Sequence, residues 1–177
     1  MSDAFCISCE IAERRNARAL IEPKRKSERT PVMLKGIDPI LSPDLLHALR
    51  SMGHGHEIAI VDANYPCDDD AHIIRLDGVL GTRILEAVLS VMPLESRDSE
   101  AACRMIVDGN PETELPIFGE FLAIVASHAD RPLSLAPITP DEFKRRAKSG
   151  FAIILSGDRR LYGNILLKKG VVTPPVD

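Results

Sequence analysis

Two short apolar runs, EIAIV at 57–61 and FAIIL at 151–155, each follow directly on an amphipathic segment that opens with helix-start chemistry. The first segment begins Ser42-Pro43-Asp44, with serine as N-cap, proline at the first helical position and an acid in the first turn. Leu45, Leu46, Leu49 and Met52 then fall on one helical face, and Gly53 is the expected stop. The second begins Thr139-Pro140-Asp141-Glu142, a capping box, and predicts a helix running to Gly150. An apolar run this short, with no polar alternation, suits a strand covered on both faces, as in a parallel sheet. A helix leading into such a strand, found twice, restricts the chain to layered architectures.

The segments between repeat the theme. Residues 72–76 read as a strand. Ile84, Leu85, Val88, Leu89 and Met92 mark a second amphipathic helix, closed by Pro93. A strand is expected at 104–107, a helix at 116–128 and an extended stretch at 133–138. A last short strand, 165–167, follows a turn at Gly157-Asp158. Strands alternating with helices predict an α/β layered fold with a mainly parallel central sheet flanked by helices.

The periodic signal spans 33–172, expected as one domain. Before it, residues 22–31 (EPKRKSERTP) are almost wholly polar or charged and cannot bury enough apolar surface to offset the entropy of ordering. Residues 1–32 are therefore expected as a poorly ordered extension, and 173–177 as a short tail. Cys6 and Cys9 have the spacing of a zinc knuckle or redox pair, but no partner pair follows, and they read as an accidental pair. With Cys67 and Cys103 they are expected as thiols of a cytoplasmic protein. The opening residues lack the apolar core of a secretory signal, and no apolar run reaches the roughly 20 residues that span a bilayer. A net charge of −4 gives no broad attraction to nucleic acid or to anionic membrane, so neither is expected as a partner.

Ligands of open α/β sheets bind beyond the carboxyl ends of the strands. Three loops are candidates. In SMGHGHE (51–57), Gly53 and Gly55 flank His54 and remove steric cover, so its imidazole can enter a cleft; histidine both gives and takes a proton near neutrality. The plainer alternative is a surface turn. In DANYP (62–66), Asp62 stands where a strand meets a loop, suited to orienting an imidazole, binding a sugar hydroxyl, or simply closing an Asx-turn. Tyr162, Gly163 and Asn164 offer a phenol, an open backbone and an amide, neutral partners for a polyol. Asp68, Asp69 and Asp70 read as a solvated loop, and Lys168 and Lys169 as exposed charges. His54, His56 and Glu57, with His72 or Asp62, resemble a metal set, but a glycine-flanked turn is a poor rigid platform, and no metal is expected.

Taken in order, MLKGI (33–37), SPDLLHALRSMGHGHEIAIVDANYP (42–66), FAIILSGD (151–158) and YGNILLKKGVV (162–172) resemble the L-fucose mutarotase and D-ribose pyranase family, and the fucose branch more than the ribose branch. The resemblance covers about 33–172. It implies a sugar mutarotase interconverting the anomers of L-fucose or a related monosaccharide. His54, not His56, would be the catalytic group, and Asp62, Tyr162, Gly163 and Asn164 would bind substrate. It implies a homo-oligomer with the pocket between subunits, and no metal or organic cofactor. A non-catalytic monosaccharide-binding module and a pyranose–furanose isomerase are the alternatives. One departure stands out. The family carries a basic residue just before the helix that holds Phe143, and here that position is Pro140. Lys144, Arg145, Arg159 and Arg160 are the candidates to replace it.

Overall fold

A computed structural model describes residues 34–67 and 71–172. The expected extension at 1–32, the Cys6–Cys9 pair, the acidic run at 68–70 and the tail at 173–177 lie outside the described residues.

In chain order the elements are α1 (Pro43–Ser51), β1 (Glu57–Val61), β2 (Ile73–Leu76), α2 (Gly81–Leu89), β3 (Ala102–Met105), α3 (Pro116–His128), β4 (Ala136–Ile138), α4 (Pro140–Ser149), β5 (Ala152–Ser156) and β6 (Ile165–Lys168). The strands form one sheet in the order β2-β5-β1-β6-β3-β4. β1 and β2 pair in parallel with β5, and β3 with β4, whereas β6 is antiparallel to both β1 and β3. Five strands thus run one way and β6 alone runs back. The amino end of β6 therefore lies among the carboxyl ends of the others.

Alternation along β1 sets the layers. Ile58 and Ile60 face α1, α2 and α3, in a core with Leu45, Leu85, Val88, Phe118, Phe121 and Ile154. Ala59 and Val61 face α4, packing with Cys103, Phe143, Ala147, Ile153, Leu155 and Leu166. Both faces of β1 are covered, as its unbroken apolar run requires. Burial pushes the Cys103 thiol up to about 11.

The caps form as the sequence implies, with two differences. The Ser42 hydroxyl accepts from the Leu45 N–H at 3.3 Å, and the Thr139 hydroxyl from the Glu142 N–H at 3.3 Å. The Glu142 carboxylate turns instead to Arg145, at 2.6 and 2.9 Å, so only half of the capping box is used. α1 ends because Met52 is extended (ψ 134°), one residue before Gly53; the left-handed glycine of that loop is Gly55, at φ 82°. β3 lies two residues earlier than expected, because Ala102 and Cys103 pair with Leu167 and Leu166 of β6, while Val107 bridges only Asn110 across a tight turn. Only 136–138 of the stretch at 133–138 finds a strand partner.

Candidate active site

At the amino end of β1, residues 52–56 form a compact loop. The Gly53 N–H donates to His56 Nδ1 at 3.1 Å, and the His56 N–H to the Gly53 carbonyl at 3.2 Å. The His56 ring stacks on Phe151, centroids 5.5 Å apart. The Gly55 N–H donates to the Lys169 carbonyl, and the Lys169 N–H to the His56 carbonyl, each at 2.9 Å. Lys169 also turns its ammonium inward, onto the Leu49 and Met52 carbonyls at 2.7 Å each, where the last turn of α1 leaves its acceptors unpaired. Burial holds the Lys169 pKa below its ordinary value. Lys168 binds Asp98 at 2.5 Å and lies 3.7 Å from Glu57. Neither lysine is the free surface charge the sequence suggests.

The loop is exposed at 53–56, and the His54 side chain is 59% exposed. Its Nε2 pairs with the carboxylate of Glu95. Glu95 is itself buried, anchored by its N–H to the Lys168 carbonyl at 3.0 Å and accepting the Arg97 N–H at 2.8 Å. The Arg97 N–H, and after it His54, hold the Glu95 pKa below its ordinary range. A buried carboxylate hydrogen-bonded to Nε2 fixes the orientation of the imidazole ring.

At the carboxyl end of β1 stands a second group. Asp62 and Asn164 are each 4% exposed and bind each other twice: Asn164 Nδ2 donates to Asp62 Oδ2 at 2.8 Å, and the Asp62 N–H to Asn164 Oδ1 at 2.9 Å. The Asn64 N–H donates to the other Asp62 oxygen at 2.8 Å, an Asx-turn. Tyr162 is half-buried beside them, and its hydroxyl donates to Asp108 at 2.8 Å. Gly163 is buried, and a Cβ there would come within 3.0 Å of the Arg160 carbonyl and 3.1 Å of the Ile117 side chain.

Of the basic candidates, Arg145 is paired with Glu142, and Arg160 with Asp158 and Glu120. Arg159 is exposed. Lys144 lies one turn after Pro140 on α4 and lines a cavity of about 90 Å³ with Tyr65, Pro66, Ala71, Lys148 and Ile153.

The five residues of β1, at about 3.3 Å each, hold the two groups roughly 15 Å apart. The 51–57 loop is therefore at the wrong end of β1 for the carboxyl-end rule, whereas the 162–164 turn obeys it because β6 is reversed. Within one chain His54 is hydrogen-bonded to Glu95, and Asp62 to Asn164 and Asn64. The metal-like set does not assemble, since Glu57 is taken by Arg146 and His56 by Phe151 and Gly53. Among the described residues no three His, Cys, Asp or Glu side chains converge as metal ligands.

The sequence model of the RbsD / FucU transport protein family matches residues 35–172. The chain belongs to this family. Fucose mutarotases of Homo sapiens and Mus musculus are 41% and 42% identical to it over 148 residues, 80% of this chain and 96% of each relative. The crystal structure of a fucose mutarotase in complex with L-fucose from Streptococcus pneumoniae superposes with a TM-score of 0.72 at 38% identity, covering 79% of this chain and all of that one. Bacillus subtilis RbsD complexed with D-ribose superposes at 0.63 with 21% identity, a likeness of fold.

In this RbsD / FucU chain three residues of the two groups escape sequence reasoning. Glu95 lies in a loop after Pro93 with no periodicity around it. Asp108 looks like an ordinary Asp-Gly turn residue. Lys169 looks like one of two solvated lysines.

Proposed function

We propose that this chain is a sugar mutarotase interconverting the α and β anomers of L-fucose, or of a closely related monosaccharide. The observation that carries the reading is the half-exposed His54 imidazole locked on a carboxylate held ionised, Glu95, in a chain with fucose mutarotase relatives. Ring opening of a hemiacetal needs one proton delivered to the ring oxygen and one removed from the anomeric hydroxyl. The C1–O bond to the ring then breaks, a carbonyl forms at C1, and reclosure on the other face reverses both transfers. His54 donates to the ring oxygen while solvent water takes the anomeric proton, the acid step being worth about 10²–10⁴-fold. Glu95 keeps the ring turned through its hydrogen bond to Nε2. Asp62, clamped by Asn164, binds sugar hydroxyls along with Tyr162 and the backbone around Gly163. Lys144, beside Tyr65 and Pro66, supplies the cation that Pro140 lacks.

The separation along β1 supports a pocket shared between copies. A monosaccharide cannot bridge roughly 15 Å, so His54 and Glu95 of one copy meet Asp62, Tyr162 and Asn164 of a neighbour in a homo-oligomer with the pocket between subunits.

Saturation-transfer NMR of the L-fucose anomeric protons tests the reading. Native protein is expected to accelerate exchange, and His54→Ala to lose that acceleration. Exchange undiminished in His54→Ala rejects the role of His54, and none with native protein rejects mutarotation.

A further inference from the structure

Among the described residues, two that are not glycine take a left-handed backbone: Asp108 at φ 49° and Tyr162 at φ 60°. They are 54 residues apart in the chain and bonded to each other. The Tyr162 hydroxyl donates to Asp108 Oδ1 at 2.8 Å, and the Asp108 N–H points back to the phenol oxygen at 3.4 Å. A left-handed tyrosine is uncommon and costs energy; such strain persists where the surroundings over-determine it, often at functional sites.

The surroundings here are built for it. Asp108 sits in a tight turn closed by the Asn110 N–H on the Val107 carbonyl at 2.8 Å. The flanks of that turn are held by Arg104, a buried guanidinium stacked 4.5 Å over Phe118, which donates to the Pro111 carbonyl at 2.8 Å and to Glu114 at 2.9 Å. On the other side, Gly163 is packed too closely for a side chain, and Asn164 is clamped to Asp62. Tyr162 is held between two rigid segments, with Asp108 as its partner.

We infer that Asp108 is a positioning residue that fixes Tyr162 as a hydrogen-bond acceptor toward the sugar. A phenol has one hydrogen to donate. Asp108 takes that hydrogen, so the phenol oxygen can meet a substrate hydroxyl only by accepting from it. Tyr162 then selects a sugar hydroxyl that donates and turns that hydroxyl's own lone pairs elsewhere. This rests on the mutarotase reading and adds to it the polarity of one contact.

The test is a cycle of variants assayed for L-fucose anomer exchange and for binding of L-fucose by calorimetry. Asp108→Gly removes the carboxylate at a position whose φ glycine adopts freely, and Asp108→Asn keeps a neutral acceptor. A hydrogen bond to a charged group at this site predicts kcat/KM about tenfold lower in Asp108→Gly, with Asp108→Asn between it and native, and thermal midpoints little changed. Because Asp108 acts through Tyr162, Asp108→Gly added to Tyr162→Phe is expected to cost nothing further. Losses that multiply in the double variant, or full activity in Asp108→Gly, overturn the inference. The ¹³Cζ resonance of Tyr162 in sugar-free protein separates the two claims. A resonance unmoved by Asp108→Gly overturns the inference alone, and absence of exchange by native protein overturns the mutarotase reading.

Discussion

Asn164→Leu is the substitution for which the structure makes the sharpest energetic statement. Leucine keeps the branched heavy-atom shape of asparagine and removes both of its bonds. The Asp62 N–H then loses its acceptor and Asp62 Oδ2 its donor, at a site where both residues are 4% exposed. A buried donor or acceptor left unpaired costs about 1–3 kcal/mol, and more when charged, so the pair is worth about 3–5 kcal/mol. That is a large part of the roughly 5–15 kcal/mol that holds an ordinary domain together. With a urea slope of about 2 kcal/mol per molar, the unfolding midpoint should fall by about 2 M. Asp62→Val placed on Asn164→Leu should recover part of the loss, since it removes the stranded carboxylate. Circular dichroism during urea unfolding measures all three proteins. A midpoint for Asn164→Leu within about 0.3 M of native would show that the reciprocal pair stabilises nothing.

Two further substitutions probe the frame around the site. Asp158 is 1% exposed, caps the Gly81 N–H at the start of α2, and has its pKa lowered chiefly by Arg160. A carboxyl depressed on folding adds stability that is complete above its unfolded value, near 3.8, and is lost as the pH falls through the folded value. Arg160→Met raises that folded value, so acid unfolding followed by circular dichroism should begin at a higher pH than in native protein; coincident acid transitions would contradict this. Lys169→Met leaves the Leu49 and Met52 carbonyls unpaired at the end of α1. It should lose about 1–3 kcal/mol of stability, while Lys168→Met, whose Asp98 partner is 35% exposed and whose Glu57 neighbour keeps Arg146, should lose less; the reverse order in urea unfolding would refute the assignment.

The fold was legible where local chemistry agrees with tertiary demand. Pro116, a run of apolar residues and His128 mark α3, and the structure has the helix at those bounds. The alternating coverage of β1 follows from five residues with no polar alternation. Small residues were harder: Ala102 and Cys103 carry little strand propensity, yet both are fully buried in β3 because β6 pairs with them. The reversal of β6 was not legible, since nothing local to Ile165–Lys168 states a direction. That reversal is what brings Asn164 to Asp62 and Lys169 to the His54 loop. The Gly-His-Gly bend pointed to His54 because two flanking glycines are a local signal. Glu95 gave none, because its role depends only on where the chain returns after α2.

The most direct test of the account is complementation between two inactive chains. His54→Ala spoils one end of β1 and Asp62→Ala the other. If each pocket takes His54 from one copy and Asp62 from its neighbour, random mixing of equal amounts leaves roughly one pocket in four with both native groups. The two proteins, each inactive alone, should therefore regain about a quarter of native L-fucose exchange per chain after being unfolded together and refolded. No recovery from a mixture that does form mixed oligomers, seen by native mass spectrometry, would mean that both groups serve within one chain or that one of them does not serve at all.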